Sequence, residues 1–361
     1  MNERVESLRA RLSEIPLEAL LVSKPENMRY LSGFSGGEGF VLISRQTQLL
    51  AVDFRYVEQV AQQSPDFQMF RLQGDPPEQF ADLAAVAGVK QVGFESAHLT
   101  YLQYQQMSRV ARDAKIEFLP TRGLVEELRA VKEPAELALI RRAAEVTDLC
   151  FQHVLAIVSP GMTERQLAWE IEKFMREAGA DGLAFDTIVA SGPNAALPHA
   201  RPGERALAPG EPIVVDMGAR WQGYCSDFTR TICLGEPDET FRAVYALTLQ
   251  ANEAAARLIR AGMRGEEADE LARQLIVGGR YGESFGHGLG HGVGLEIHED
   301  PRLRPRSRDV LGEGMVFTIE PGIYLPGWGG VRIEDLAVLE SDGPRLLSLA
   351  TREPVVPLGG G

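Results

Sequence analysis

Between Phe285 and Glu299 the chain reads FGHGLGHGVGLEIHE, with glycine at 286, 288, 290, 292 and 294. A glycine inside a helix costs about 1 kcal/mol relative to alanine, so this alternation makes helix expensive and favours extended backbone. In a strand, His287, Leu289, His291, Val293 and Leu295 fall on one face, and the glycine face is left bare for close backbone approach. His287 and His291 stand four apart, but they cannot form the helical paired-histidine zinc motif in such a segment. The chain has six histidines. His287, His291 and His298 all lie here, which suits the floor of a site.

Two pairs of apolar runs flank this segment, and each run carries a carboxylate where a strand should be apolar. EPIVVDMGARWQGYCSDFTRTICL predicts a hairpin with strands at about 213–219 and 224–234 and a turn near Gln222 and Gly223. With the turn centred at 221–222, Asp216 and Asp227 face each other, with Cβ atoms about 5 Å apart. MVFTIEPGIYLPGWGGVRIEDLAVL predicts a second hairpin, in which Pro326, Gly327, Gly329 and Gly330 mark the turn and Glu320 faces Glu334. Buried like charges must be protonated or neutralised by cations. A two-metal centre, with ions about 3.5–4 Å apart, needs carboxylates at this sort of separation. Oxygen-rich ligation with one imidazole suits manganese, cobalt or zinc rather than a soft metal. Cys225 and Cys233 share strand parity with Asp227, and with no CxxC spacing anywhere they are expected to pack in the core.

Asp216, Asp227, His291, Glu320 and Glu334, in this order and with these flanks, resemble the five ligands of the pita-bread metallopeptidases. SGPNAALPHA at 191–200, HGLGHGVGLEIHE at 287–299, TIEPG at 318–322 and VRIED at 331–335 resemble the branch that cleaves Xaa-Pro bonds, aminopeptidase P and prolidase. The resemblance is strong over about 125–355. It implies two divalent metal ions, manganese by preference and cobalt or zinc as alternatives. Asp216 would bind one ion, Asp227 and Glu334 would bridge both, and Glu320 and His291 would complete the other. It also implies that His199 and His298 hold the substrate carbonyl and the tetrahedral intermediate, that Glu320 shuttles a proton, and that His287, Tyr324 and Arg332 line a proline pocket. The activity implied is hydrolysis of the bond between an N-terminal residue and a following proline, in proline-containing peptides. A methionine aminopeptidase shares the five ligands, but a long N-terminal domain and the HGLGHGVGLEIHE wording weigh against it. A non-catalytic binding module on the same fold would show eroded ligands, and all five stand here.

The expected architecture is an α/β N-terminal domain plus an α+β pita-bread catalytic domain, divided as 1–122 and 123–361. Short apolar runs at 19–23, 40–44, 48–53 and 90–95 alternate with helical stretches, the pattern of an α/β unit. Beyond Pro120 and Gly123 longer helical periodicity takes over. Pro134 opens a helix running past Cys150. Thr163 and Gln166 signal a capping box for a helix to about 178, and a further helix is expected over 239–261. The two carboxylate hairpins hint at pseudo-symmetry. The GFSGGEG run at 33–39 reads as a tight turn rather than a phosphate loop.

A net charge of −14 argues against nucleic acid and against an anionic membrane surface as partners. Three scattered cysteines give no disulfide framework, MNERVESLRARLSEIP has no apolar core of a secretion signal, and no run reaches the length of a membrane span. These features predict a cytoplasmic protein, with a homodimer expected from the resemblance. Arg55 reads as a solvated residue at a helix start, with the alternative that Arg55 or Arg29 reaches a neighbouring subunit's site and pairs with a substrate carboxylate.

Overall fold

The computed structural model describes residues 2–358 and divides into two compact units between Arg129 and Ala130. The short helix Glu126–Ala130, which lies beyond the expected boundary at 122/123, falls almost wholly in the first unit.

The first unit is built on a six-stranded mixed sheet. Its spatial order is Gln68–Arg71, Gln48–Val52, Phe40–Ser44, Ala19–Val22, Gln91–Glu95 and Glu117–Thr121. The four central strands are the four predicted apolar runs, and they are almost entirely buried. The two edge strands escaped prediction because most of their side chains are solvent-facing, which leaves no apolar run to read. Asn2 caps the first helix, Glu3–Ser13, which buries Val5, Leu8 and Leu12. In the 33–39 run, Gly33 ends the helix Pro25–Ser32 in the left-handed conformation and Gly36 leaves room for the Phe34 ring, so the glycines serve local geometry.

The second unit repeats one arrangement twice. Helices Pro134–Ile157 and Glu164–Glu177 share a core with the strands Pro212–Met217 and Phe228–Leu234. Helices Glu239–Leu258 and Gly265–Gly278 share another with Val316–Ile319 and Asp335–Glu340. Three of these helices start where the sequence places them, and Thr163 and Gln166 form the expected capping box. Strand parity sorts the side chains. Ile213, Val215 and Met217 face the first helix pair, whereas Phe317, Ile319, Ala337 and Leu339 face the second. Asp216, Thr318 and Glu334 have the opposite parity, so the carboxylates fall on the sheet faces turned away from the helices. Cys150, Cys225 and Cys233 are buried, the last two as expected.

Candidate metal centre

The first hairpin differs from its predicted register. Gln222 and Gly223 both have positive φ, which sets a tight two-residue turn between Ala219–Trp221 and Tyr224–Cys225. Asp216 therefore faces Thr229 and not Asp227. The shift is of two positions, so it preserves parity and leaves both aspartates on one face. The long strands are also interrupted. Ser226 Oγ accepts from Ala219 N at 3.0 Å and lies 2.8 Å from Thr147 Oγ1, and a Cβ on Gly218 would sit 2.1 Å from the Ser226 carbonyl. At this break the chain turns Asp227 inward.

The second hairpin keeps its predicted register. Ile319 pairs with Asp335 and Gly322 with Arg332, so Glu320 and Glu334 stand opposite each other in the gap between two short ladders. Glu334 N donates to the Thr229 carbonyl, which stitches the two hairpins together at the site.

The histidine segment is extended over a shorter length than expected, with a strand only at Gly290–Gly292 and a bulge after His291. Four of its five glycines, at 288, 290, 292 and 294, stand at close approaches, whereas Gly286 faces open space. A Cβ on Gly290 would lie 2.0 Å from the Thr318 carbonyl oxygen, and one on Gly292 would lie 2.1 Å from that of Asp300. Leu289 and Val293 enter the core. His291 Nδ1 faces the Gly292 carbonyl at 3.1 Å, so this nitrogen carries the proton. Nε2 then offers its lone pair, 3.3 Å from Glu320 Oε1 and 3.5 Å from Asp227 Oδ2.

All five predicted ligands line one cavity of about 650 Å³, together with His199, His287, His298, Tyr324 and Arg332. Asp227, His291 and Glu334 can each bring a ligand atom to within 4.8 Å of the others. Burial, joined by the charges of Glu334, Asp216 and Glu320, drives the Asp227 carboxyl well above its ordinary range. Burial likewise raises Glu334 well above its usual value and lifts Glu320 to about 8. Burial, reinforced by neighbouring His298, pushes His291 down to about 3, so its imidazole is neutral. Asp216 Oδ1 is buried without a hydrogen-bond partner. An orphaned carboxylate oxygen beside crowded carboxylates and one imidazole lone pair is a donor set that fits divalent cations.

Buried side chains hold these donors in place. Arg332 donates to Asp216 Oδ2 at 2.7 Å, to Tyr324 Oη at 2.8 Å and to Thr229 Oγ1 at 3.1 Å. Thr229 Oγ1 in turn donates to Glu334 Oε2 at 2.6 Å, and Thr318 Oγ1 accepts from His291 N and donates to Glu320. His287 Nδ1 faces the Gly288 carbonyl, and its Nε2 accepts from Tyr324 Oη at 2.9 Å. Burial, with Arg332 nearby, lowers His287 to about 4. His199 and His298 lie on exposed loops at the cavity, and the His298 ring meets the His291 ring edge-on at 4.3 Å.

The sequence reading missed several residues that position the site. Arg273 donates to the carbonyls of Phe285 and His287 while paired with Asp269, and Asp269 accepts from Leu289 N, so one helix clamps the histidine segment. Arg230, 1% exposed, donates to the carbonyls of Thr229 and Glu334 and pairs with Asp335. An arginine in an apolar strand was the available signal. Gly329 and Gly330 were read as turn markers, but a Cβ at either would collide with the carbonyl of Gly192 or Ala195, so they admit the loop that leads to His199.

The chain matches known proteins over nearly its whole length. The profile of metallopeptidase family M24 matches residues 138–341, and that of the creatinase/prolidase N-terminal domain matches 4–131. A Xaa-Pro dipeptidase of Pyrococcus horikoshii is 36% identical over 98% of this chain and 99% of its own. The solved structure of a Xaa-Pro dipeptidase from Bacillus anthracis superposes with a TM-score of 0.95 at 40% identity, covering 99% of each chain. That of an X-Pro aminopeptidase from Thermotoga maritima gives a TM-score of 0.87 at 36% identity, covering 96% of this chain and 99% of the other.

Proposed function

Because the chain belongs to metallopeptidase family M24, we propose that it is a Xaa-Pro metallo-exopeptidase, hydrolysing the bond between an N-terminal residue and the proline that follows it. One observation carries the reading: five ligand side chains, distant in sequence, converge on one cavity with four crowded carboxylates and an orphaned acceptor. Asp216, Asp227, His291, Glu320 and Glu334 would hold two divalent ions, with manganese preferred and cobalt or zinc as alternatives. Bound there, the ions supply Lewis acidity that makes water reactive near neutral pH.

The chain's own groups do the rest. His199 and His298, facing the cavity from its rim of loops, would donate to the scissile carbonyl as negative charge develops on its oxygen. Proline's nitrogen has no proton of its own once acylated, so the leaving amine must be given one, and the Glu320 carboxyl would carry it. His287, Tyr324 and Arg332 form a connected wall that suits a proline ring. Arg201, Arg302 and Arg304 also line the cavity, and cations there favour a short peptide whose free carboxylate lies close to the scissile bond.

The deciding experiment strips the metal, reloads Mn²⁺, Co²⁺ or Zn²⁺, and compares turnover of Xaa-Pro, Xaa-Pro-Xaa and Met-Ala peptides. Turnover of Met-Ala alone would refute the proline reading. Preference for Xaa-Pro over Xaa-Pro-Xaa would support the dipeptidase form. We also infer a cytoplasmic homodimer; among the described residues no helix is long and apolar enough to cross a membrane. Arg55 pairs with Asp53 and Glu38 of its own unit. A role for it in a neighbouring site is dropped if Arg55→Ala leaves the ratio of dipeptide to tripeptide turnover unchanged.

A further inference from the structure

Glu164 is a carboxylate with no exposure, far from any ligand in sequence and absent from the cavity wall. Every acceptor position it has is aimed at the loop that carries His199. Oε1 accepts from Ser191 N at 2.8 Å, from Ser191 Oγ at 2.8 Å and from Asn194 Nδ2 at 3.1 Å. Oε2 accepts from Gly203 N at 3.0 Å and from Asn194 Nδ2 at 3.3 Å. Ser191 and Gly203 are the two stems of the loop, so a single carboxylate ties both together.

The helix beginning at Glu164 adds to this anchor through its backbone. Its first N–H groups, of Glu164 and Arg165, donate to the carbonyls of Arg205 and Gly203. A helix start normally leaves such donors to caps or water; here the loop's returning segment occupies them. Between the stems, His199 is exposed, and among the described residues no hydrogen bond anchors its side chain, so its place at the cavity rim depends on how the stems are held.

We propose that Glu164 is a positioning residue, which sets the height of His199 over the metal centre by clamping both stems of the 191–203 loop. The inference rests on the reading of His199 as a donor to the developing oxyanion. Glutamine at 164 cannot reproduce the clamp: its amide NH₂ would meet the N–H of Ser191 or Gly203, donor against donor. Misplacing a group that stabilises only the transition state lowers kcat and leaves ground-state binding alone.

The test measures kcat and KM on a Xaa-Pro dipeptide, with metal content, for Glu164→Gln, His199→Ala and the double variant. Glu164→Gln is expected to lower kcat about 10- to 100-fold with KM and metal content little changed. In the His199→Ala background the same substitution should cost less than about threefold, because the two act as one unit. An undiminished loss in that background, or a wild-type kcat for Glu164→Gln, overturns the proposal. A wild-type kcat for His199→Ala overturns instead the role assigned to His199. Should Glu164→Gln fail to fold, Asn194→Ala decides, since it removes one donor and leaves the carboxylate: a smaller kcat loss that vanishes in the His199→Ala background supports the clamp, and an additive loss refutes it.

Discussion

At the scale of single residues, the centre is a set of carboxylates that the apo protein holds at a cost. Asp227 and Glu334 are buried, and each is raised well above its ordinary range by burial first and by its neighbours next. Asp227→Asn or Glu334→Gln should abolish turnover while far-ultraviolet circular dichroism stays native, because a neutral amide cannot replace an anionic ligand in the role proposed for them. Retention of a tenth of the rate would count against the assignment. The same shifts govern stability without metal. A carboxyl whose folded pKa is raised stabilises the fold below its unfolded pKa, and that contribution is lost as pH rises through the folded value. With Glu320 at about 8, the metal-free protein should melt at progressively lower temperature between pH 5 and pH 9, roughly the span set by these shifts. Metal-loaded protein should not follow that slope, and calorimetry at several pH values compares the two. The four carboxylates proposed as ligands were legible because each is a charge in an apolar run, and His291 because it stands in a glycine-spaced histidine segment. Glu164 and Arg273 were not, because a glutamate at a helix start or an arginine on a helix is ordinary in sequence and gains its meaning only from the loop or segment it holds.

At the scale of elements, strand parity is what sequence conveys and register is what it does not. The Glu320/Glu334 hairpin matched its prediction because its glycines bracket the turn on both sides. The Asp216/Asp227 hairpin did not, since Gln222 takes a left-handed conformation that its residue type does not advertise. The helix Gly265–Gly278 was missed for a related reason: it opens on glycine behind Arg264, without a small polar cap. Its clamp on the histidine segment, and the backbone crossings at Gly288, Gly290 and Gly292, make those positions intolerant of side chains. Gly290→Ala should destabilise by about 1–3 kcal/mol or more and lower activity, because its Cβ would strike the Thr318 carbonyl. Gly286→Ala, with open space around it, should stay within about 0.5 kcal/mol of wild type in urea unfolding. Equal effects at the two positions would refute the close-approach explanation.

At the scale of the whole molecule, the binding site and the stability of the second unit are one property. The proposed ligands come from both helix–sheet halves, and Arg230 joins these halves by holding the Thr229 and Glu334 carbonyls. A divalent ion at 100 times its dissociation constant should therefore add about 2.7 kcal/mol to the folded state, read as a rise in melting temperature. Asp227→Asn should remove most of that rise, and an undiminished rise would place the ion elsewhere.

The last of the proposed ligands in chain order, Glu334, also meets Thr229 through the backbone, across a hundred residues of intervening chain. On the ribosome, where the polypeptide emerges N-terminus first, the cage is missing a wall until that glutamate has been made. Translation halted anywhere upstream of it should yield an inert product, and release of dipeptide cleavage by cell-free products ending before residue 334 would show otherwise. A peptidase assembled this way is silent throughout the greater part of its own synthesis.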